Sequence, residues 1–182
     1  SLFQAGYTYG SLNAEIVTDP DIELENGRLD AEGPQYGALI VNGTENMQNY
    51  STMALESAEQ IDAWAAHGLP VVVVGDVPTQ VTGYAEDDDE KLAEVFARLL
   101  DRDNVGAVAS EQDAPAALRD LGVDPAADFE EPAPIQMQRR ETSDANYYFM
   151  WNSNAETEAA TVSLSGSGGP YEFNAWTGEI SQ

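Results

Sequence analysis

Along the first two thirds of the chain, apolar positions recur with two periods that take turns. Ala38-Leu39-Ile40-Val41 is a short all-apolar run, of the kind buried on both faces of a sheet. From Ser51 to His67 the period lengthens. Ala54, Ala58, Ile61 and Ala65 fall on one face, Ser51 or Thr52 can cap the start, and Gly68 stands where a terminating glycine belongs, so the spacing predicts a helix. Leu69-Pro70-Val71-Val72-Val73-Val74-Gly75 follows at once as the strongest buried-strand signal. A second helix is predicted from Asp88 to Leu100, with Leu92, Val95, Phe96 and Leu99 as its stripe and Asp87 to Asp89 at the positive end of its dipole. Asn104 to Ala109 reads as a weaker strand. Asp113-Ala114-Pro115 opens a third helix, with Leu118 and Leu121 inward and Gly122 closing it. Ahead of all these, Ile22 to Asp30 alternates around Asn26-Gly27, a hairpin signal because both central residues of such a turn need positive φ.

Strands that alternate with helices imply right-handed crossovers and a mainly parallel sheet covered on both faces, hence an α/β class. The grammar changes near Asp124. Asp124 to Pro134, rich in proline, alanine and acid, reads as a linker. Beyond it the periods are short, over Ile135–Arg140, Ala145–Trp151, Ala159–Leu164 and Tyr171–Asn174, with Ser165-Gly166-Ser167-Gly168-Gly169-Pro170 as the plainest turn. Four such segments predict antiparallel strands forming part of a β-sandwich. The division expected is an α/β unit over 1–125 and partial sandwich strands over 126–182.

Charge narrows the partners. The chain has 33 acidic residues against 7 basic ones, a formal net charge of −26. Such a surface repels nucleic-acid phosphates and anionic membranes, and neither is expected as a partner. The acids are spread along the whole chain, which fits adaptation to concentrated salt (a halophilic surface) better than a docking patch for a basic partner. Cysteine is absent, which removes disulfides, thiolate metal sites and a cysteine nucleophile. No apolar run approaches the ~18 residues that span a bilayer. Ser1 to Gly6 has neither a basic region nor a long apolar stretch nor an initiator methionine, so the chain is expected to be cut from something longer.

Candidate chemistry is sparse. His67, the only histidine, sits at a predicted helix end, where a cation suits the dipole. No serine lies in a Gly-x-Ser-x-Gly elbow. Asp87-Asp88-Asp89-Glu90 lacks the alternation and central glycine of a calcium loop and reads as a helix start, so no metal site is expected. Among so many acids a glycosidic carboxylate pair arises by chance. Gly75-Asp76-Val77-Pro78 has one glycine and an acid where a pyrophosphate would sit, so no nucleotide cofactor is expected. Two loops follow parallel strands at the edge where α/β sheets bind ligands, and Asn42, Thr44, Glu45 and Asp76 are the candidate binding residues on them. Asn42-Gly43-Thr44 and Asn49-Tyr50-Ser51 fit the glycosylation pattern, a signal for an extracellular location that chance also supplies. Aromatic residues gather late, at Tyr147, Tyr148, Phe149, Trp151, Tyr171, Phe173 and Trp176. Their alternation predicts a sandwich core, with Trp176 the candidate for exposure and for stacking on sugar.

One stretch has a more specific character. Ile135-Gln136-Met137-Gln138-Arg139-Arg140 leads into Asp144-Ala145-Asn146-Tyr147-Tyr148-Phe149 and Trp151-Asn152-Ser153, and later comes Ala175-Trp176-Thr177-Gly178-Glu179-Ile180. This resembles the α-L-rhamnosidase-like enzymes of glycoside hydrolase family 106. Gly6-Tyr7-Thr8-Tyr9, Leu12-Asn13, Asn26-Gly27-Arg28-Leu29, Tyr36 to Val41, Met47 and Thr79 to Tyr84 are similar to the same family in the same order. The sequence departs where Thr8 and Gly10 replace the family's aspartates and Ala175 precedes Trp176. The resemblance implies catalytic acids on a (β/α)8 barrel outside this chain, so no catalytic residue is carried over. It also implies a flavodoxin-like or class I amidotransferase-like α/β domain, without the amidotransferase cysteine. The expected function is that of a non-catalytic accessory piece of a large glycoside hydrolase, with the rest of that enzyme as partner. A carbohydrate-binding module and a small-molecule-binding flavodoxin-like domain are the alternatives.

Dispersed self-repulsion has a direct consequence for stability. The thermal midpoint followed by circular dichroism is expected to rise by about 10 °C or more between 0.05 M and 2 M KCl, as screening shortens to a few Å. A flat or falling midpoint would remove the salt-adaptation reading.

Overall fold

A computed structural model describes residues 1–30, 33–43, 52–83, 88–131 and 133–182. Its elements in chain order are α1 (Ala14–Val17), β1 (Leu24–Glu25), β2 (Arg28–Leu29), β3 (Leu39–Gly43), β4 (Thr52–Met53), α2 (Leu55–Ala66), β5 (Val71–Gly75), β6 (Gln80–Val81), α3 (Asp88–Leu100), β7 (Val105–Val108), α4 (Ala114–Asp120), β8 (Ala127–Phe129), β9 (Ile135–Glu141), β10 (Asn146–Asn152), β11 (Val162–Leu164), β12 (Glu172–Phe173) and β13 (Ile180–Ser181).

The centre is a three-stranded parallel sheet in the order β3–β5–β7. Four consecutive valines fill its middle strand, each at most 1% exposed. Because side chains alternate across a strand, they serve two cores. Val71 and Val73 join Val41 against Ile61, Trp64 and Ala65 of α2 and Leu92, Val95, Phe96 and Leu99 of α3. Val72 and Val74 face Ala114 and Leu118 of α4 together with Tyr7. Each fully buried valine contributes about 1.5–3 kcal/mol. Gly106 of β7 lies beneath α4, where an added Cβ would sit 3.7 Å from Ala117 and Leu121.

Local signals set most of the boundaries. The hairpin β1–β2 turns on Asn26 (φ 50°) and Gly27 (φ 75°), the left-handed pair its sequence requires. α2 ends at His67 with Gly68 at φ 96°. α3 begins with Asp88, Asp89 and Glu90, and its stripe is buried as predicted. Asp89 also accepts the Val81 N–H at 2.8 Å, tying the helix start to β6. The start of α2 differs from expectation. Thr52 lies in β4, paired with β6, and Ala54 precedes the helix with no side-chain cap. The expected capping role of Ser51 lies outside the described residues. β-pairing took Thr52, which local capping chemistry favoured.

One ion cluster staples the two helices of the larger core. Asp62 of α2, 8% exposed, accepts from Arg98 at 3.3 and 3.4 Å and from Arg102 at 2.8 and 3.0 Å. Asn104, just before β7, donates to the carbonyls of Ala65 and Leu69 at 2.9 and 2.8 Å and so ties the end of α2 to the sheet.

The N-terminal segment closes the smaller core. The Tyr7 hydroxyl donates to the Val123 carbonyl at 2.7 Å. Gly6 (φ 79°) accepts from the N–H groups of Ala126 and Ala127, and a Cβ on it would lie 1.5 Å from the Ala127 carbonyl oxygen. No other residue fits there.

The last third departs from its expected sandwich. The segment expected as a linker holds β8, which pairs with β11; β9 pairs with β10, and β12 with β13. These are separate two-stranded units. Tyr147, Phe149, Trp151, Tyr171 and Phe173, expected in a core, are 38–66% exposed. Alternation identified the strands, but no facing sheet covers the rings among the described residues.

Asp62→Ala is expected to cost about 2 kcal/mol in urea unfolding. It leaves two guanidinium groups without their anion, and their partial exposure keeps the loss below that of a fully buried pair. Burial raises the Tyr7 phenol above its ordinary value of 10.0. Its contribution is therefore full below about pH 10 and lost as pH rises through the higher folded value. Tyr7→Phe should cost about 1 kcal/mol at pH 7 and make stability less sensitive to pH above 10.

Candidate functional site

The carboxyl edge of the parallel sheet is where its loops converge. β3 ends in Asn42 and Gly43, in register with Val74 and Gly75 of β5. The strands approach so closely that a Cβ on Gly43 would stand 1.7 Å from the Asp76 carbonyl oxygen. Glycine is required there because of that contact rather than for an unusual φ. Beyond β7 the chain brings Glu111 back to the same edge, and Asn42 donates to its carboxylate at 2.6 Å. Asn42, Asp76 and Glu111 are all exposed.

The fold thus brings two predicted residues, Asn42 and Asp76, to one edge, and adds Glu111, which the sequence reading did not single out. Its signal was available, since the loop after a third parallel strand must open on the same edge. Thr44 and Glu45 lie outside the described residues. Exposed amide and carboxylate groups can hydrogen-bond a hydroxylated ligand, but no nucleophile–base pair stands among them. Two open depressions are lined by other residues: one by Gly106, Val108, Asp113 and Asp120 of the β7–α4 region, the other by Glu172, Asn174 and Glu179 of β12–β13.

His67 and Asp88, two groups the sequence drew attention to, have structural partners. Nδ1 of His67 lies 2.8 Å from the Ala63 carbonyl at the end of α2. Asp88 pairs with Lys91 at 2.6 Å. Asp87 lies outside the described residues. Among the described residues no three histidines, cysteines or acids cluster as a metal site would require. The Ser57 hydroxyl is buried without a hydrogen-bond partner there, an unfavourable feature of α2 rather than an activated nucleophile.

Trp176 lies in the turn between β12 and β13 and is 98% exposed. The turn is ordered by its own side chains. Asn174 Oδ1 accepts from the N–H groups of Trp176 and Thr177 at 3.0 and 3.1 Å, and Thr177 donates to Glu179 at 3.2 Å. The indole is thereby held out from the surface on a short hydrogen-bonded loop.

Comparison with known proteins places this geometry in context. A rhamnosidase from Novosphingobium sp. PP1Y has a similar solved structure, with a TM-score of 0.55 and 20% sequence identity; the match covers 78% of this chain and 14% of that one. At that identity the likeness is one of fold, and the chain corresponds to a small share of the larger protein. No curated protein matches. The profile of a glycoside hydrolase family, described as alpha-L-rhamnosidase, matches residues 3–182. On that match across nearly its whole length, the chain belongs to glycoside hydrolase family 106.

Proposed function

We propose that this chain is a non-catalytic accessory region of an α-L-rhamnosidase-type glycoside hydrolase, packing beside a catalytic barrel carried by other residues. The observation that carries the reading is the contrast between a family match over residues 3–182 and a structural match to only 14% of a solved rhamnosidase. A region that small, built around a three-stranded sheet, corresponds to one module of the larger fold. The consecutive order β3–β5–β7 suits half of a doubly wound sheet. It supports assigning the first part to the flavodoxin-like or class I amidotransferase-like type.

The chemistry of the described residues agrees with an accessory role. Asp62, the one buried acid, is held between Arg98 and Arg102. Retaining and inverting glycosidases need two carboxylates flanking a sugar, one of them kept protonated by its surroundings. Asp76 and Glu111 are instead exposed at the edge of the sheet. The expected role is mechanical. The module shapes or buttresses the cleft of the enzyme, and its acidic surface keeps the assembly hydrated.

The test is an activity assay on the purified chain. With p-nitrophenyl α-L-rhamnoside, no hydrolysis above the buffer rate is expected at any protein concentration. Turnover that scales with protein and falls at least tenfold in Asp76→Asn or Glu111→Gln would overturn the accessory reading and place a catalytic site on the sheet edge.

A further inference from the structure

The hairpin β9–β10 has two faces of different composition, and only one of them is packed. Its register sets Ile135, Met137, Arg139 and Glu141 opposite Asn152, Met150, Tyr148 and Asn146 on one face. There Met137 is 1% exposed, the Tyr148 hydroxyl donates to the Ser165 carbonyl, and Arg139 binds Asn146 and Glu141. On the other face Gln136 lies across from Trp151, Gln138 from Phe149 and Arg140 from Tyr147. That face is open, with Tyr147 55%, Phe149 60% and Trp151 38% exposed. These exposures leave about 300 Å² of largely aromatic surface, the size of the larger patches that soluble proteins use for binding. Phe149 and Trp151 stand 5.7 Å apart, centre to centre, inclined by 35°.

Composition selects the occupant. On this hairpin the aliphatic side chains of Ile135, Met137 and Met150 all lie on the face already packed. The apolar side chains of the open face are all rings, each directly across the ladder from an amide or a guanidinium. None of its six residues is an acid, in a chain that has 33. Rings offer flat surfaces to the C–H faces of pyranoses, and glutamines offer both donors and acceptors to hydroxyls. Arg140 donates to the Arg139 carbonyl at 3.2 Å, which leaves further guanidinium donors for a ligand. Charge narrows the class. A net charge of −26 opposes polyuronates and sulfated glycans, whereas an uncharged sugar meets no repulsion.

We propose that the open face of β9–β10 is a binding platform for a neutral saccharide chain, with consecutive sugars stacked on Phe149 and Trp151 and their hydroxyls held by Gln136, Gln138 and Arg140. This site shares no residue with the sheet edge at Asn42 or with Trp176. It adds substrate tethering to the accessory role and does not require that role.

The test is titration of the purified chain with xylohexaose and cellohexaose as neutral probes and hexagalacturonate as the charged one. It is followed by calorimetry and tryptophan fluorescence at 0.5 M salt. At least one neutral hexamer should bind with a Kd of about 1 mM or tighter. Binding should weaken roughly tenfold in Trp151→Ala and in Phe149→Ala, and stay unchanged in Trp176→Ala. Gln138→Ala, which leaves the rings in place, should weaken it severalfold with no change in thermal midpoint. That separates loss of contact from loss of folding. Failure of both neutral hexamers to bind at about 5 mM overturns the proposal. So does stronger binding of hexagalacturonate, or affinity that is insensitive to these substitutions. A dimer in sedimentation velocity that Phe149→Arg dissociates would assign the face to a second copy and likewise overturn it.

Discussion

Four consecutive valines, Val71 to Val74, occupy the middle strand of the parallel sheet, and each layer of the α/β half depends on their burial. Alternation directs two toward α2 and α3 and two toward α4 and the N-terminal segment. A strand buried on both faces cannot leave a polar backbone group to water, so it must be paired on both edges, and β3 and β7 supply that pairing. The remaining elements cover the two faces so formed. Asp62 and its two arginines hold α2 to α3 on one side, while Tyr7 and Gly6 bring the start of the chain onto Val123 and Ala127 on the other.

The same geometry decides where polar groups converge. Parallel strands open their carboxyl ends on one edge, and Asn42, Asp76 and Glu111 meet there although they are far apart in sequence. Glycine at position 43 permits that approach because the Asp76 carbonyl occupies the space a side chain would need. The edge is open and polar. Among the described residues its chemistry suits hydrogen bonding and shows no enclosed, opposed carboxylates of the kind glycoside hydrolysis requires. Membership in glycoside hydrolase family 106 is compatible with the exposed edge seen among the described residues if, as proposed, the module serves an enzyme whose reacting groups lie in other residues.

The C-terminal third follows a different rule. Each of its two-stranded units is held by its own ladder, and each leaves apolar side chains exposed. In β9–β10 that exposure is sorted by face, with the methionines and Tyr148 on the packed side and Tyr147, Phe149 and Trp151 outside beside glutamines and an arginine. Sorting of this kind points to a surface formed for contact rather than a core left unfinished. On β12–β13, the Asn174 turn fixes Trp176 outward by the same economy of local hydrogen bonds.

Much of this was legible in the sequence because the deciding interactions are local. The Asn26-Gly27 turn, the stripe of α3, the end of α2 at Gly68 and the valine strand each follow from backbone preference or from periodicity, which a short window of residues contains. The family resemblance was likewise carried by contiguous motifs between Arg139 and Glu179. Tertiary structure decided the rest. Thr52 went to a strand rather than a helix cap because β6 offered it a partner. The expected linker became β8 because β11 returned to pair with it. Glu111 joined Asn42, and the aromatic rings of β10 remained exposed, for a reason of the same kind. Alternation shows that a strand has two faces, but which face is covered depends on residues distant in sequence, and no local period encodes their position.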